Sequence, residues 1–278
     1  MIDYRIQKYS GEIDLNTQMR RWKFVKLLQL YQLNDIMQIY QLIDIAYTES
    51  EVSYMILYHG SPEIVEVPTY GKGAKTNDYG RGFYCTESLE LAKEWACPTV
   101  MDGFSNKYEF DMSDLNILYL NKEGYNILNW IAILLNNRVF SKRSPIARQA
   151  SKYILEEFLP DISGYDVIWG YRADDSYFSY AKDFLNNGIS VNQLSRAMKL
   201  GELGEQVVLM SPKAFEKIKY IEYEIVDGSI YNLRRMEREN RAKRAYLDNH
   251  GADFEISKND LFVRDILSEK VKNNDPRL

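Results

Sequence analysis

Histidine is nearly absent from this 278-residue chain: His59 and His250 are the only two. Cysteine is as scarce, with Cys85 and Cys97 alone, and neither residue type recurs at the close spacings that metal ligands need. These shortages argue against a histidine- or cysteine-built metal site, and no metal is expected. Two cysteines cannot form a disulfide framework in a chain of this length, so a packed core must hold it together, and a reducing cytoplasm is the expected compartment. Long apolar runs are missing too. Stretches such as Trp130 to Leu135 fall far short of the roughly 20 residues that a bilayer-spanning helix requires. The opening Met1-Ile2-Asp3-Tyr4-Arg5 has no basic segment ahead of an apolar one, so neither a secretory leader nor a membrane partner is expected. Nor does one sign of charge dominate. Thirty-five basic residues against 40 acidic ones leave a formal charge of −5, too mild for global attraction to nucleic acid or anionic lipid.

What remains is ample material for a core. Hydrophobic residues make up 45% of the chain, and 22 tyrosines suit half-buried positions where a ring packs and a hydroxyl stays wet. Residues 12 to 50 carry apolar side chains at three- and four-residue spacing, among them Leu27, Tyr31, Ile36, Tyr40 and Ile43, and predict helix. Strands are predicted from Met55, over Gly82 to Thr86, Lys107 to Asp111, Leu115 to Leu120, Asp166 to Gly170, Gln206 to Met210 and Ile221 to Val226. Helices are predicted over Ser88 to Ala96, Tyr125 to Arg138, Pro145 to Phe158, Ser176 to Asn186 and Val191 to Lys199. After Gly228 the strand signals stop. Asn232 to His250 reads as a long polar helix, Phe254 to Val271 as a second, and the tail from Asn273 as frayed. The expected division is a helical segment over 1–53, a mixed domain over 54–228 and a helical extension over 229–278.

Three segments hold groups suited to chemistry. In Tyr58-His59-Gly60-Ser61, an imidazole stands at a strand end and the following glycine lets a ligand approach the backbone. A purely structural histidine before a turn looks the same. In Asp78-Tyr79-Gly80-Arg81-Gly82-Phe83-Tyr84-Cys85-Thr86, two glycines bend the chain into a strand. Phe83 and Tyr84 must then point to opposite faces, one into the core and one free to line a cleft. A tyrosine face suits a cationic nicotinamide ring, although an ordinary hairpin with core aromatics has the same pattern. In Gly201-Glu202-Leu203-Gly204-Glu205-Gln206-Val207-Val208, a carboxylate stands at the entrance to a buried-looking strand. There it can oppose developing positive charge, or simply be a turn acid. Asp78 reads as an Asx-type brace for the glycine turn. Asp174 and Asp175 read either as contacts to a ligand or acceptor, or as solvated loop acids. Arg234, Arg238 and Arg241 share a helical face, read as a solvated face with intrahelical ion pairs, with a nucleic-acid or acidic-protein contact as the alternative.

The order and spacing of these segments resemble the ADP-ribosyltransferase superfamily in its His-Tyr-Glu branch. The likeness is greatest to an uncharacterised bacterial set of such domains with Tyr-His-Gly-Ser, Asp-aromatic-Gly-x-Gly-Phe-Tyr-x-Thr, Trp-Ala, Ala-Asp-Asp and a glutamine before the late strand. Those elements fall here on Tyr58 to Ser61, Asp78 to Thr86, Trp95-Ala96, Ala173 to Asp175 and Gln206, and the likeness spans about residues 54 to 226. It implies an α+β fold with a split, antiparallel-rich β-sheet core around an NAD cleft and flanking helices. It also implies NAD as co-substrate, no metal, and mono-ADP-ribosyl transfer to a protein or nucleic-acid acceptor. The setting it implies is a bacterial intracellular toxin or defence effector with a possible antitoxin partner.

The same resemblance places His59 on the adenine-side ribose, the Gly60 backbone on the nicotinamide amide and the Tyr84 ring against nicotinamide. Ser61, Asp78, Gly82, Phe83 and Asp174 complete the expected cofactor-binding set. The family glutamate, which holds the 2′-hydroxyl of the nicotinamide ribose, falls on Glu205 or, in the competing alignment, on Gln206. The second choice would leave the site without its carboxylate and would favour a non-catalytic NAD-, nucleic-acid- or protein-binding module on a degenerate fold. Cleavage of the nicotinamide–ribose bond passes through an oxocarbenium-like state, as in glycoside hydrolysis, so an oxygen-bearing side chain beside the sugar is what the chemistry needs.

Overall fold

The computed structural model describes residues 54–122, 124–140, 144–172, 175–198, 204–251 and 260–278. The helical segment expected over 1–53, Asp174, and the stretch 252–259 lie outside the described residues. Residues 54–278 belong to one compact unit.

The elements run β1 (Tyr54–Ser61), β2 (Phe83–Cys85), α1 (Leu89–Ala96), β3 (Gly103–Asp111), β4 (Ile117–Tyr119), α2 (Ile127–Asn137), α3 (Pro145–Phe158), β5 (Val167–Tyr171), α4 (Asp175–Leu185), α5 (Val191–Ala197), β6 (Glu205–Leu209), α6 (Pro212–Glu216), β7 (Ile218–Val226), α7 (Gly228–Gly251) and α8 (Val263–Glu269). They form a mixed α+β fold with two sheets, ordered β1-β3-β7 and β2-β6-β5-β4. Every described strand pairing is antiparallel except β4 with β5.

Strand alternation builds the layers. On β1, Leu57 turns inward and joins Tyr108, Phe110 and Ile218 of its own sheet against Phe83, Cys85, Val207 and Leu209 of the other. The two sheets therefore share one apolar interior. The opposite face of the second sheet, carrying Ile168 and Val208, packs on α2, α3, α4 and α5 through Trp130, Ile131, Leu134, Ile154, Phe158, Phe184 and Leu194. The apolar run from Trp130 to Leu135 is thus a core helix, buried along its whole length. Its start is fixed by Asn126, whose Oδ1 accepts from the Leu128 N–H while Asn129 Oδ1 accepts from the Asn126 N–H. Ser144 and Pro145 start α3 in the same spirit: the serine hydroxyl accepts from the Ala147 N–H and proline occupies the first turn.

Helix α1 lies on the outer face of the first sheet, and Gly60 is the reason it sits so close. A Cβ at Gly60 would stand 2.0 Å from the Ala92 carbonyl oxygen and 2.6 Å from the Ala96 nitrogen. Helix α7 packs on α1 in turn, partly through charge. Arg238 is buried and donates to Glu94 at 2.7 Å from Nε and 2.6 Å from Nη2, and Arg234 pairs with Glu90 at 2.9 Å. The arginine face expected to be solvated is therefore largely committed to α1. The intrahelical Arg235–Glu239 pair at 3.0 Å is of the expected kind, and Arg241 is exposed.

Three further expectations are corrected. Strand β7 begins at Ile218 rather than Ile221, because Ile218 and Tyr220 point inward and a bulge opposite Lys107 and Tyr108 absorbs Ile221. The helix expected over Phe254 to Val271 is, among its described residues, helical only from Val263. Ahead of it the chain is extended, with the Leu261 carbonyl accepting from the Val191 N–H. The tail from Asn273 is docked rather than frayed. Asn273 Oδ1 accepts from Asn129 Nδ2 at 2.9 Å and Asn126 Nδ2 at 3.1 Å, and Arg277 pairs with Asp275 and Glu269. The buried Asn129 amide needs an acceptor, and the tail supplies one. Helix α6 had no counterpart in the periodicity; its five residues are too few to show one.

The close approach at Gly60 gives a stability test. Gly60→Ala is expected to destabilise the fold by about 1–3 kcal/mol through overpacking, read as a lowered denaturant midpoint. Gly164→Ala, where an added Cβ meets nothing within 4 Å, serves as the neutral control. Equal midpoints for the two variants would show that α1 does not constrain β1 there.

Candidate functional site

Among the described residues, the backbones of the two sheets are joined at one isolated bridge, between β1 and β2. The Tyr58 N–H donates to the Thr86 carbonyl at 2.8 Å, and the Thr86 N–H donates back to Tyr58 at 2.9 Å. Beyond this bridge the strands part, and a cavity of about 440 Å³ opens between them, within the size range of small-molecule sites. His59, Gly60 and Ser61 border it from β1, Gly82, Phe83 and Tyr84 from β2 and its entry turn, and Asp78 and Gln206 from behind. Apart from Asp174, every residue of the expected cofactor-binding set is therefore at one cavity.

Glu205 is not among them. Consecutive residues of a strand face opposite ways, and β6 divides the two candidates accordingly. Gln206 is 3% exposed and borders the cavity. Its Nε2 donates to Asp78 Oδ2 at 3.0 Å and to the Tyr171 carbonyl at 3.2 Å. The Glu205 carboxylate instead accepts from Trp169 Nε1 at 2.6 Å and from the side-chain amide of Asn121.

His59 is held by its δ nitrogen, 2.7 Å from the Tyr84 carbonyl oxygen. A carbonyl only accepts, so Nδ1 carries the hydrogen and Nε2 of the neutral ring is a bare acceptor. The ring lies 4.4 Å from that of Phe83. Burial lowers the imidazole pKa below its ordinary value, and the bond to Tyr84 opposes that only in part. Tyr84 spends its hydroxyl internally. It donates to the Gly80 carbonyl at 2.7 Å and accepts from the Tyr79 N–H at 3.1 Å, closing a turn in which Gly80 takes a left-handed φ of 79°. What Tyr84 retains for a ligand is its ring. Burial pushes its phenol pKa up, so it stays neutral.

Charge around the cavity is mixed. Asp78, 4% exposed, accepts at Oδ1 from Arg138 Nε at 2.8 Å and Nη2 at 2.6 Å. Arg172 lies 4.1 Å above the Trp95 ring, and both residues border the cavity, as does Lys72. Sequence reasoning gave Arg138, Arg172 and Lys72 no role, and nothing local in the sequence marks them. Asn106 was also missed. It is fully buried on β3 opposite His59, donates to the His59 and Glu63 carbonyls at 3.2 and 3.3 Å, and accepts from the Val65 N–H at 2.9 Å. It thereby pins the cavity's outer loop to β1. Its signal was legible: an amide at an inward position of an otherwise apolar-facing strand must be satisfying something.

The chain matches the family described as protein of unknown function (DUF3990) over residues 55–220 and belongs to it. The matched span takes in β1 through β6, and so His59, Tyr84 and Gln206. No curated protein and no solved structure matches the chain. Among the described residues, no group of three or more His, Cys, Asp or Glu is placed to hold a metal ion, and no helix is long and apolar enough to cross a membrane.

The lowered pKa of His59 sets a pH test. The unfolded imidazole titrates near 6.5, and the folded one below that. As pH falls through the interval between them, the unfolded chain binds the proton first. The stability contributed by the neutral ring is complete above about pH 6.5 and is lost as pH drops toward the folded-state value. His59→Gln is expected to flatten the fall of Tm between about pH 7 and 5. Parallel profiles for the two proteins would show that His59 is not held neutral.

Proposed function

We propose that this protein is an NAD-dependent mono-ADP-ribosyltransferase acting on a macromolecule, with an ADP-ribosyltransferase-like cleft between its two sheets. The observation that carries the reading is the meeting of His59, Tyr84 and Gln206, drawn from β1, β2 and β6, at one cavity. The resemblance in residue order named the first two. It left the third open between Glu205 and Gln206, and the cavity favours Gln206.

In this reading the bare Nε2 of His59 accepts a hydroxyl from the adenine-side ribose. The Tyr84 ring, its hydroxyl already committed, stacks on the nicotinamide. Gln206 sets an amide beside the nicotinamide ribose. Lys72 and Arg172 supply positive charge for the diphosphate. The glycosidic bond breaks with its electron pair going to the nicotinamide nitrogen, which leaves as a neutral ring. The acceptor's nucleophilic atom then bonds to the ribose carbon and loses its proton to solvent. The same resemblance supports a bacterial intracellular toxin or defence role, with an antitoxin as a candidate partner.

One observation favours a second reading, a fold that binds NAD without turning it over. The side chain at the cavity is an amide, whereas the neighbouring carboxylate of Glu205 is bound to Trp169 and Asn121. An amide oxygen stabilises an oxocarbenium-like centre less than an anion does.

Incubation with labelled NAD and cell lysate separates the two. Wild type is expected to release nicotinamide and label a macromolecule. Gln206→Ala and Tyr84→Ala are expected to lower the rate by about 10²-fold or more, with Glu205→Ala largely retaining it. Tight NAD binding with no nicotinamide release establishes the second reading, and absence of NAD binding sinks both.

A further inference from the structure

The surroundings of Gln206 say which of its atoms a ligand meets. A carboxamide has two N–H donors on one nitrogen and an acceptor oxygen, and its neighbours decide which end points where. Two acceptors flank Nε2: Asp78 Oδ2 at 3.0 Å and the Tyr171 carbonyl at 3.2 Å. Turned the other way, the amide would set its oxygen against a carboxylate and a carbonyl at once. Both N–H groups are therefore consumed by the protein, and Oε1, which takes no hydrogen bond from the described residues, is the one polar atom Gln206 has left. The side chain is 3% exposed and borders the cavity, so a ligand that leaves Oε1 unsatisfied gives up a buried hydrogen bond.

Asp78 can do this because it is itself fixed. Arg138 holds Oδ1 with two donors, at 2.8 and 2.6 Å, and leaves Oδ2 to face Gln206. The Tyr171 carbonyl is fixed as well, accepting also from Tyr79 Oη at 2.7 Å and Trp130 Nε1 at 3.1 Å. That cluster depends on Gly170, whose Cβ would lie 2.4 Å from Tyr79 Oη.

We infer that Asp78 is a positioning residue, braced by Arg138, which locks Gln206 so that its carbonyl oxygen is offered to a hydrogen-bond donor of the ligand. The inference rests on the NAD reading for the identity of that donor, a hydroxyl of the nicotinamide ribose. The lock itself does not depend on it. The site is built around a neutral acceptor, since a carboxylate at position 206 would face a second carboxylate and a carbonyl oxygen.

Two measurements test it. In protein labelled with ¹⁵N-glutamine, the Gln206 side-chain amide protons are expected to exchange with solvent at least about tenfold more slowly than those of exposed glutamines. In Asp78→Asn, whose amide would set a donor against a donor, that protection is expected to vanish while the other glutamine signals stay in place. Unprotected Gln206 protons in wild type overturn the lock, whatever binds, and this arm needs no variant to fold. The second measurement compares binding of NAD with binding of its analogue lacking the 2′-hydroxyl of the nicotinamide ribose. Wild type is expected to favour NAD by about tenfold, one buried hydrogen bond, and Asp78→Asn to bind the two alike. A ratio unchanged by Asp78→Asn, or a wild-type ratio near one, overturns the positioning role. Wild type that binds neither compound, with Gln206 still protected, refutes the NAD reading and not the lock.

Discussion

Two hydrogen bonds between Tyr58 and Thr86 organise this molecule. They are the only described backbone link between β1 and β2, the strands at which the two sheets meet. Because they sit one residue before His59 and two residues after Tyr84, the strands part where the imidazole and the phenol stand. The β1 and β2 residues that border the cavity take their spacing from that junction. The His59–Tyr84 bond continues it with a side chain where the backbone ladder stops. Asn106 then ties the outer loop to the same strand end. A sandwich whose sheets stayed paired over another four residues would have a continuous core there and no room for a ligand.

Polar groups around the cavity are satisfied mainly by one another, and the price is a wall with few spare atoms. Tyr84 spends both functions of its hydroxyl on its own turn. Gln206 spends its nitrogen on Asp78 and Tyr171. His59 spends Nδ1 on a carbonyl. What these three retain is a ring face, an amide oxygen and an imidazole nitrogen: one stacking surface and two acceptors. Such a set would suit a flat ring joined to something rich in hydroxyls, which is the physical content of the proposed NAD reading.

Much of this is legible in the sequence. Alternation located β3 and β4, short apolar runs located β5 and β6, and the helix expected from Pro145 to Phe158 has the observed ends of α3. Sequence order also brought the Asp78 to Thr86 segment and the Tyr58 to Ser61 segment into one argument. What was not legible was of two kinds. Where an element is too short for its period to show, as in α6, composition says little. Where the deciding fact is which way one residue points, a one-residue uncertainty in register changes the answer, and Glu205 and Gln206 are adjacent residues with opposite faces. Long-range partners were invisible for a further reason. Nothing near Arg138 foretells Asp78, and nothing near Arg238 foretells Glu94, because each pair is closed by tertiary packing rather than by spacing.

The docking of Asn273 against Asn126 and Asn129 also has a bearing on the order in which the molecule is made. Helix α2 begins at those two asparagines and ends at the arginine that braces Asp78. Its first turn is completed by residues nearly 150 positions downstream. During vectorial synthesis the strands of the cavity emerge long before the segment that seals the base of their supporting helix. Ribosome-bound chains that have not yet released Asn273 would therefore hold the parts of the site without this buttress, and maturation of the cavity would be coupled to the emergence of that downstream segment rather than to the appearance of its own residues.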